Sequence, residues 1–187
     1  MNIYIALLHY PVKNKKGEIV STCVTGFDIH DISRTAVTFG IKKYFVVNPM
    51  PAQIRFATRL KEFWSSTKSH DFNWTRAEAM EKVEVSKSIE DVIAQIKRKE
   101  KKAPILVATS AQIEGGISYS DLKQVISVKG KKSRPVLIMF GTGWGMSDEL
   151  MKKADYILEP IYGVKEYNHL SVRSAVAIIL DRLLRRK

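Results

Sequence analysis

The feature that most constrains this chain is the alternation of short, β-branched apolar runs with segments whose apolar residues recur at helical spacing. Ile3–Leu8, Tyr44–Val47, Val83–Val85, Ile105–Ala108, Pro135–Phe140 and Tyr156–Leu158 are too short for helices and apolar nearly throughout. Strands without polar alternation are covered on both faces, as in parallel sheets joined by helical crossovers. Between them, Asp31–Phe39 reads as a helix, with Ile32, Ala36 and Phe39 on one face, Asp28 or Asp31 as cap and Gly40 as stop. After the break Asn48-Pro49-Met50-Pro51, Phe56, Leu60, Phe63 and Trp64 predict a helix to about Thr67, and polar Ser65–Thr75 a loop. Ser88, with Asp91 three residues on, opens a helix whose stripe is Ile89, Val92, Ile93 and Ile96. Asp121–Val128, a segment begun by Ser147, and Leu170–Leu184 complete the helices. Lys13–Gly17 reads as a turn, followed by extended chain over Ile19–Thr25. The fold class is α/β, a mostly parallel sheet with helices on both faces.

Composition narrows the chemistry. The single Cys23 excludes an internal disulfide and a multi-cysteine zinc site, and the four histidines form no HxxxH pair, so no metal is expected. No apolar run approaches the ~18–20 residues of a membrane span, and Met1–Ile5 carries no basic leader, so a cytoplasmic protein without a membrane partner is expected. No linker or repeat divides residues 1–187, which reads as a single domain. The 31 Lys and Arg outnumber the 19 Asp and Glu, a net charge of +12 that favours a polyanionic partner, nucleic acid ahead of an anionic membrane.

Ligands of parallel α/β sheets bind at the carboxyl ends of strands, so the turns that follow strands are the places to search. Phe140-Gly141-Thr142-Gly143-Trp144-Gly145-Met146-Ser147 carries three alternate glycines after a buried strand. They let backbone approach a ligand, or simply make a tight strand-to-helix turn. A dinucleotide fingerprint fits poorly, because it belongs to the first βα unit and only 42 residues follow Gly145. No GxxxxGK[ST] occurs, which excludes a P-loop. Thr109-Ser110-Ala111 follows another buried strand, where small hydroxyls bind a ligand or cap the next segment. The stretch Glu159–Leu170 is long enough to cross a cleft; within it Asn168 reads equally as a helix N-cap and His169 as a first-turn residue. Asp28-Ile29-His30-Asp31-Ile32-Ser33-Arg34 is dense in titratable groups, though Asp31 and Arg34 at i, i+3 also suit a plain helix ion pair.

Taken in order, these segments resemble the SPOUT class of S-adenosylmethionine-dependent RNA methyltransferases. Asp28, Asp31, Arg34 and Gly40 match its first motif; Ile138–Leu150, with the glycine turn, its second; Leu158–Gly163 through Asn168–Val172 its third. With His9-Tyr10-Pro11-Val12 and Asp28-Ile29-His30-Asp31 the chain most resembles a SPOUT group sometimes fused behind bacterial tRNA (guanine-N1)-methyltransferase. Two departures leave the acceptor atom open between a ribose 2′-oxygen and a base nitrogen. Tyr167-Asn168-His169 stands where the 2′-O branch has Ser-Leu-Asn, and aspartates stand for the first-motif asparagines.

The resemblance implies a C-terminal trefoil knot, a homodimer and S-adenosylmethionine as cofactor; a knot runs against the usual threading rule, so the resemblance alone carries it. It implies a cofactor site built from Thr109, Ser110, Ala111, Phe140, Gly141, Thr142, Gly143, Gly145, Ile161, Gly163, Asn168, His169 and Leu170, with Ile161, Val164 and Leu170 as apolar walls. Arg34, Asp31 and His169 are the implied catalytic residues. Arginine stays charged, so Arg34, reaching in from a partner subunit, positions and stabilises rather than abstracts a proton. For a ring-nitrogen acceptor, Asp28, Asp31 or His169 is the base. Lys13, Lys15, Lys16, Arg182, Arg185, Arg186 and Lys187 are the implied phosphate contacts on a tRNA or rRNA substrate. The competing expectations are a non-catalytic RNA-binding or regulatory module that kept the fold, and a nucleotide-dependent enzyme of flavodoxin-like topology.

Overall fold

The computed structural model describes residues 2–66, 71–128, 130, 133–165 and 167–185. Strands β1 (Ile3–Leu8), β4 (Tyr44–Val47), β5 (Val83–Ser86), β6 (Ile105–Thr109), β7 (Val136–Gly141) and β8 (Tyr156–Leu158) form one sheet in the order β5-β4-β1-β7-β6-β8. Every pairing is parallel; Ile5 of β1 lies between Tyr44 and Ile138, and Val107 of β6 between Ile138 and Tyr156. Two short strands, β2 (Val12–Lys13) and β3 (Ile19–Val20), pair antiparallel around the lysine-rich turn.

The apolar strands feed two cores, as their pattern requires. Ile3, Ile5 and Leu7 of β1 belong to one core; Tyr4, Ala6 and Leu8 belong to the other. Helices α1 (Gly26–Thr38), α2 (Pro51–Trp64), α3 (Trp74–Glu81), α5 (Tyr119–Ser127) and α7 (Val172–Leu184) cover the first face. Helices α4 (Ile89–Glu100) and α6 (Asp148–Lys153) cover the second. Ser88 and Ser147 cap α4 and α6 through their hydroxyls, as the sequence predicts. Among the described residues, no helix is long and apolar enough to cross a membrane.

Three elements differ from the sequence reading. Helix α1 starts at Gly26, not Asp31: the Thr25 hydroxyl accepts the Asp28 N–H and donates to its carboxylate at 2.6 Å. Ile29, fully buried, extends the stripe of Ile32 and Ala36 toward that earlier start. Helix α3 begins inside the expected Ser65–Thr75 loop and runs on to Glu81; Asn73 caps it, and Ala77, Ala79 and Met80 are its buried residues. Helix α7 opens at Val172 with Ser171 as cap, so Asn168 is not its N-cap and His169 precedes its first turn. Helix α2 ends at Trp64; Thr67 lies outside the described residues.

One connection shapes the site. After leaving β6 the chain returns along the far edge of β8, where the Ile117 N–H donates to Ile157 O at 2.8 Å and Ile117 O accepts from Glu159 N–H at 3.0 Å. Strand β8 thus lies between β6 and Ile117. Gly116 makes the close pass possible: φ is +113°, and a Cβ there would stand 2.6 Å from Ile157 O.

Candidate active site

A cavity of about 490 Å³ opens at the carboxyl ends of β6, β7 and β8, within the range of small-molecule sites. Three chain segments surround it. The turn after β6 supplies Thr109, Ser110, Ala111 and Gln112; the glycine turn after β7 supplies Phe140 through Gly145; the crossing to α7 supplies Glu159, Pro160, Ile161 and Asn168 through Val172. Ala175 and Ile179 of α7 add to the walls. Of the thirteen residues expected to form a cofactor site, Thr109, Ser110, Ala111, Phe140, Gly141, Thr142, Gly143, Ile161, Asn168, His169, Leu170 and Gly145 line this one cavity. Gly163 is not in the lining, nor is Val164, which is fully exposed.

Hydrogen bonds set the geometry of the segments. Thr109 Oγ1 donates to Met139 O at 2.9 Å, pinning the end of β6 to β7. Asn168 Nδ2 donates to Ala111 O at 3.2 Å, tying the crossing segment to the β6 turn. Glu159 accepts the Tyr119 N–H at 2.9 Å and is engaged at the start of α5. At Gly141 a Cβ would meet Met146 N and Cγ, each at 2.8 Å, so this turn closes only on a residue without a side chain.

Behind the glycine turn runs a part-buried polar chain, anchored on buried His9, that the sequence did not reveal. Thr142 Oγ1 donates to Leu8 O at 3.0 Å and lies 2.5 Å from Thr22 Oγ1, which lies 2.9 Å from His9 Nδ1. Thr142 has one proton and spends it on a carbonyl, so Thr22 donates to Thr142 and accepts from His9 Nδ1–H. His9 is therefore the neutral Nδ1–H tautomer, and its Nε2 is buried with no hydrogen-bond partner among the described residues. Burial pushes the imidazole down to about 4, against the opposing pull of Asp28. Asn48, equally buried, donates to Thr22 O at 2.9 Å and accepts from Met50 N–H, holding the same segment from the β4 side.

The expected catalytic residues are divided. His169 is exposed and lines the cavity, its ring edge-on to Tyr167 with centroids 5.4 Å apart. Asp31 and Arg34 lie exposed on α1, outside the lining. Asp31 approaches Arg173 of α7 at 3.7 Å, and Arg173 lies over the exposed ring of Phe27. Asp28 is mostly buried and committed to Thr25. Of the expected phosphate contacts, Lys13 pairs with Asp148 at 2.8 Å, Arg182 lies over Tyr119 and Arg185 pairs with Asp181. Lys15 and Lys16 are exposed at the hairpin tip; Arg186 and Lys187 lie outside the described residues.

Comparison with known proteins adds to this geometry. The family model described as SAM-dependent RNA methyltransferase matches residues 2–185. An uncharacterized protein of Aquifex aeolicus is 44% identical over 186 residues, covering 99% of this chain and 89% of that protein. A tRNA (guanine-N(1)-)-methyltransferase of Oleidesulfovibrio alaskensis is 36% identical over 183 residues, 98% of this chain but 42% of that protein. In fold, the SpoU methyltransferase AviRb of Streptomyces viridochromogenes, solved with AdoMet, superposes with a TM-score of 0.56 at 15% identity, covering 98% of this chain and 56% of that one.

Proposed function

The chain belongs to the family of SAM-dependent RNA methyltransferases, and on that premise we propose that the cavity at the ends of β6, β7 and β8 holds S-adenosylmethionine while a tRNA or rRNA presents its acceptor at the mouth. The observation that carries this reading is the convergence of three separate turns on one cavity with a glycine cradle in its wall. The residues suit the cofactor: Phe140, Ile161, Leu170 and Val172 offer apolar walls for a purine, and the turns around Gly143 and Ala111 offer backbone groups for its polar edges. When bound, S-adenosylmethionine supplies an electrophilic methyl group on a sulfonium, whose carbon–sulfur bond breaks with the electron pair kept by sulfur.

The acceptor, a 2′-hydroxyl or a ring nitrogen, gives up a proton as it gains the methyl, so a base has to stand at the mouth. Among Asp28, Asp31 and His169, only His169 lines the cavity, and we assign it that proton. Arg34 acts as a fixed cation that orients the acceptor or its phosphate. Its position on α1, outside the lining, supports its arrival at the cavity of a second subunit in a homodimer. Exposed Phe27, on the same helix, supplies apolar surface for such a contact. The return of Ile117 along the outer edge of β8 supports the trefoil knot, since the chain leaving β8 has to pass the loop that arches over it. Residues 1–187 act as one domain in the cytoplasm. The Oleidesulfovibrio relative is matched over less than half its length, so its acceptor is not transferred to this chain.

The test is transfer of label from methyl-tritiated S-adenosylmethionine to bulk tRNA and rRNA from a strain lacking the protein. Labelled nucleoside, recovered after nuclease digestion, is expected with wild type and lost with His169→Ala. A folded protein that binds RNA and leaves both RNA pools unlabelled would favour the non-catalytic module.

A further inference from the structure

The β2–β3 hairpin is stitched to the glycine turn of the cavity. On its first strand the Lys13 N–H donates to Gly145 O at 2.8 Å, Lys13 O accepts the Trp144 N–H at 3.0 Å, and Val12 bridges antiparallel to Met146. Just past its second strand, Thr22 reaches the same turn through the Thr142 hydroxyl. The approach is so close that a Cβ on Gly143, at φ +60°, would stand 3.0 Å from Lys13 O. Hairpin and turn are held as one unit, and parts of that unit are unpartnered. Trp144 lines the cavity yet is 45% exposed, and its ring makes no ring or cation contact among the described residues. Lys15 and Lys16, exposed at the hairpin tip, make no ion pair among those residues. Their neighbours are engaged: Lys13 pairs with Asp148 at 2.8 Å, and Glu18 accepts from Asn14 at 2.7 Å.

We propose that Trp144 and the hairpin tip clamp an unpaired RNA nucleotide beside the acceptor, the indole stacking on its base and Lys15 and Lys16 holding the flanking phosphates. An aromatic face next to unpaired cations is the chemistry that holds single-stranded nucleic acid without reading its sequence. Lys15 and Lys16 lie two and three residues beyond Lys13, which holds Trp144. Their backbone is therefore within roughly 11 Å of Lys13, and one short stretch of RNA meets both the ring and the cations. The cofactor suits the indole less well. Buried Phe140 and half-buried Ile161 and Val172 wall the interior of the cavity, whereas nearly half of the indole is open to solvent. The inference rests on the methyltransferase reading for its RNA partner.

The experiment is fluorescence anisotropy with a labelled twelve-nucleotide oligouridylate across a salt series, beside quenching of the protein's tryptophan emission by the unlabelled strand. Trp144→Ala is expected to weaken binding about fivefold or more at every salt concentration. Trp144→Phe keeps an aromatic face, so it should restore affinity yet lose the quenching, since Trp64 and Trp74 lie outside the cavity lining. Lys15→Gln with Lys16→Gln should flatten the log–log salt slope by about 1.4, and the arginine double variant should restore it. A Trp144→Ala affinity within twofold of wild type, an unchanged slope in the glutamine variant, or quenching that survives Trp144→Phe would each overturn the proposal. So would a Trp144→Ala loss confined to S-adenosylmethionine in calorimetry. The same calorimetry on wild type separates the two claims. A normal cofactor heat with unchanged RNA binding in the variants sinks the clamp alone; no cofactor heat with the expected RNA losses sinks the cavity assignment and leaves the clamp.

Discussion

His9 makes the glycine turn sensitive to acid, and the size of the effect follows from its burial. The folded chain holds the imidazole neutral down to about 4, against 6.5 for an ordinary histidine. Between those values the unfolded chain takes up a proton that the folded chain refuses, so stability is lost as pH falls from 6.5 to about 4 and changes no further below that. The gap corresponds to roughly 3 kcal/mol, a large part of the 5–15 typical of a domain. The matched variant is His9→Asn, whose amide nitrogen keeps a donor near the Nδ1 position toward Thr22 but does not titrate. Other groups share the acid trend. Burial, then Arg76, pushes His30 down; burial works to raise Glu84 and Glu100, but Lys43 and Lys61, and Lys42 and Tyr4, overcome it and hold both carboxyls low. All three remain in the variant, so they cancel in the difference. Urea unfolding at pH 7, 5.5 and 4 should show wild type losing about 3 kcal/mol more than His9→Asn. Parallel curves within about 0.5 kcal/mol would refute a neutral, buried His9.

Three further outcomes follow from the same geometry. Gly116→Ala should cost at least about 2 kcal/mol in urea, because its Cβ meets the Ile157 carbonyl; Gly115→Ala, with open space at φ +82°, should cost about 1. Gly141→Ala should weaken S-adenosylmethionine at least about tenfold by calorimetry with circular dichroism unchanged, since the new methyl displaces Met146 N. Arg34→Ala and Gly141→Ala chains, each inactive alone, should regain roughly a quarter of wild-type methyl transfer when refolded as an equal mixture, because one dimer in two is mixed and each mixed dimer carries one complete site of its two. Inactive mixtures would place Arg34 in its own subunit's chemistry.

The sheet was legible because its strands are unbroken apolar runs bounded by proline, glycine or polar residues; Tyr44–Val47 and Tyr156–Leu158 could be read to the residue. Helix α1 was read short because Asp28 and Asp31 resemble caps, while the true cap, Thr25, works through Asp28 itself. Helix α3 escaped because its buried residues are two alanines and a methionine amid polar chain, too little apolar bulk to mark a face. Within the site, the turns after β6 and β7 followed from the rule that parallel sheets bind ligands at strand ends. Ala175 and Ile179 did not, because a cavity wall on α7 has the same helical spacing as the core beside it. The His9–Thr22–Thr142 chain includes a bond between Thr22 and Thr142, 120 apart in sequence, through hydroxyls that no periodicity marks.

The proposed S-adenosylmethionine site is the cavity bounded by the turns at Thr109, Gly141 and Ile161. Calorimetric titration of the purified chain with S-adenosylmethionine, with ATP and NAD as controls, addresses it most directly. One site per chain is expected, with heat from S-adenosylmethionine alone and its loss in Gly141→Ala. A folded protein that gives no heat with S-adenosylmethionine, or binds it undiminished in Gly141→Ala, would contradict that assignment.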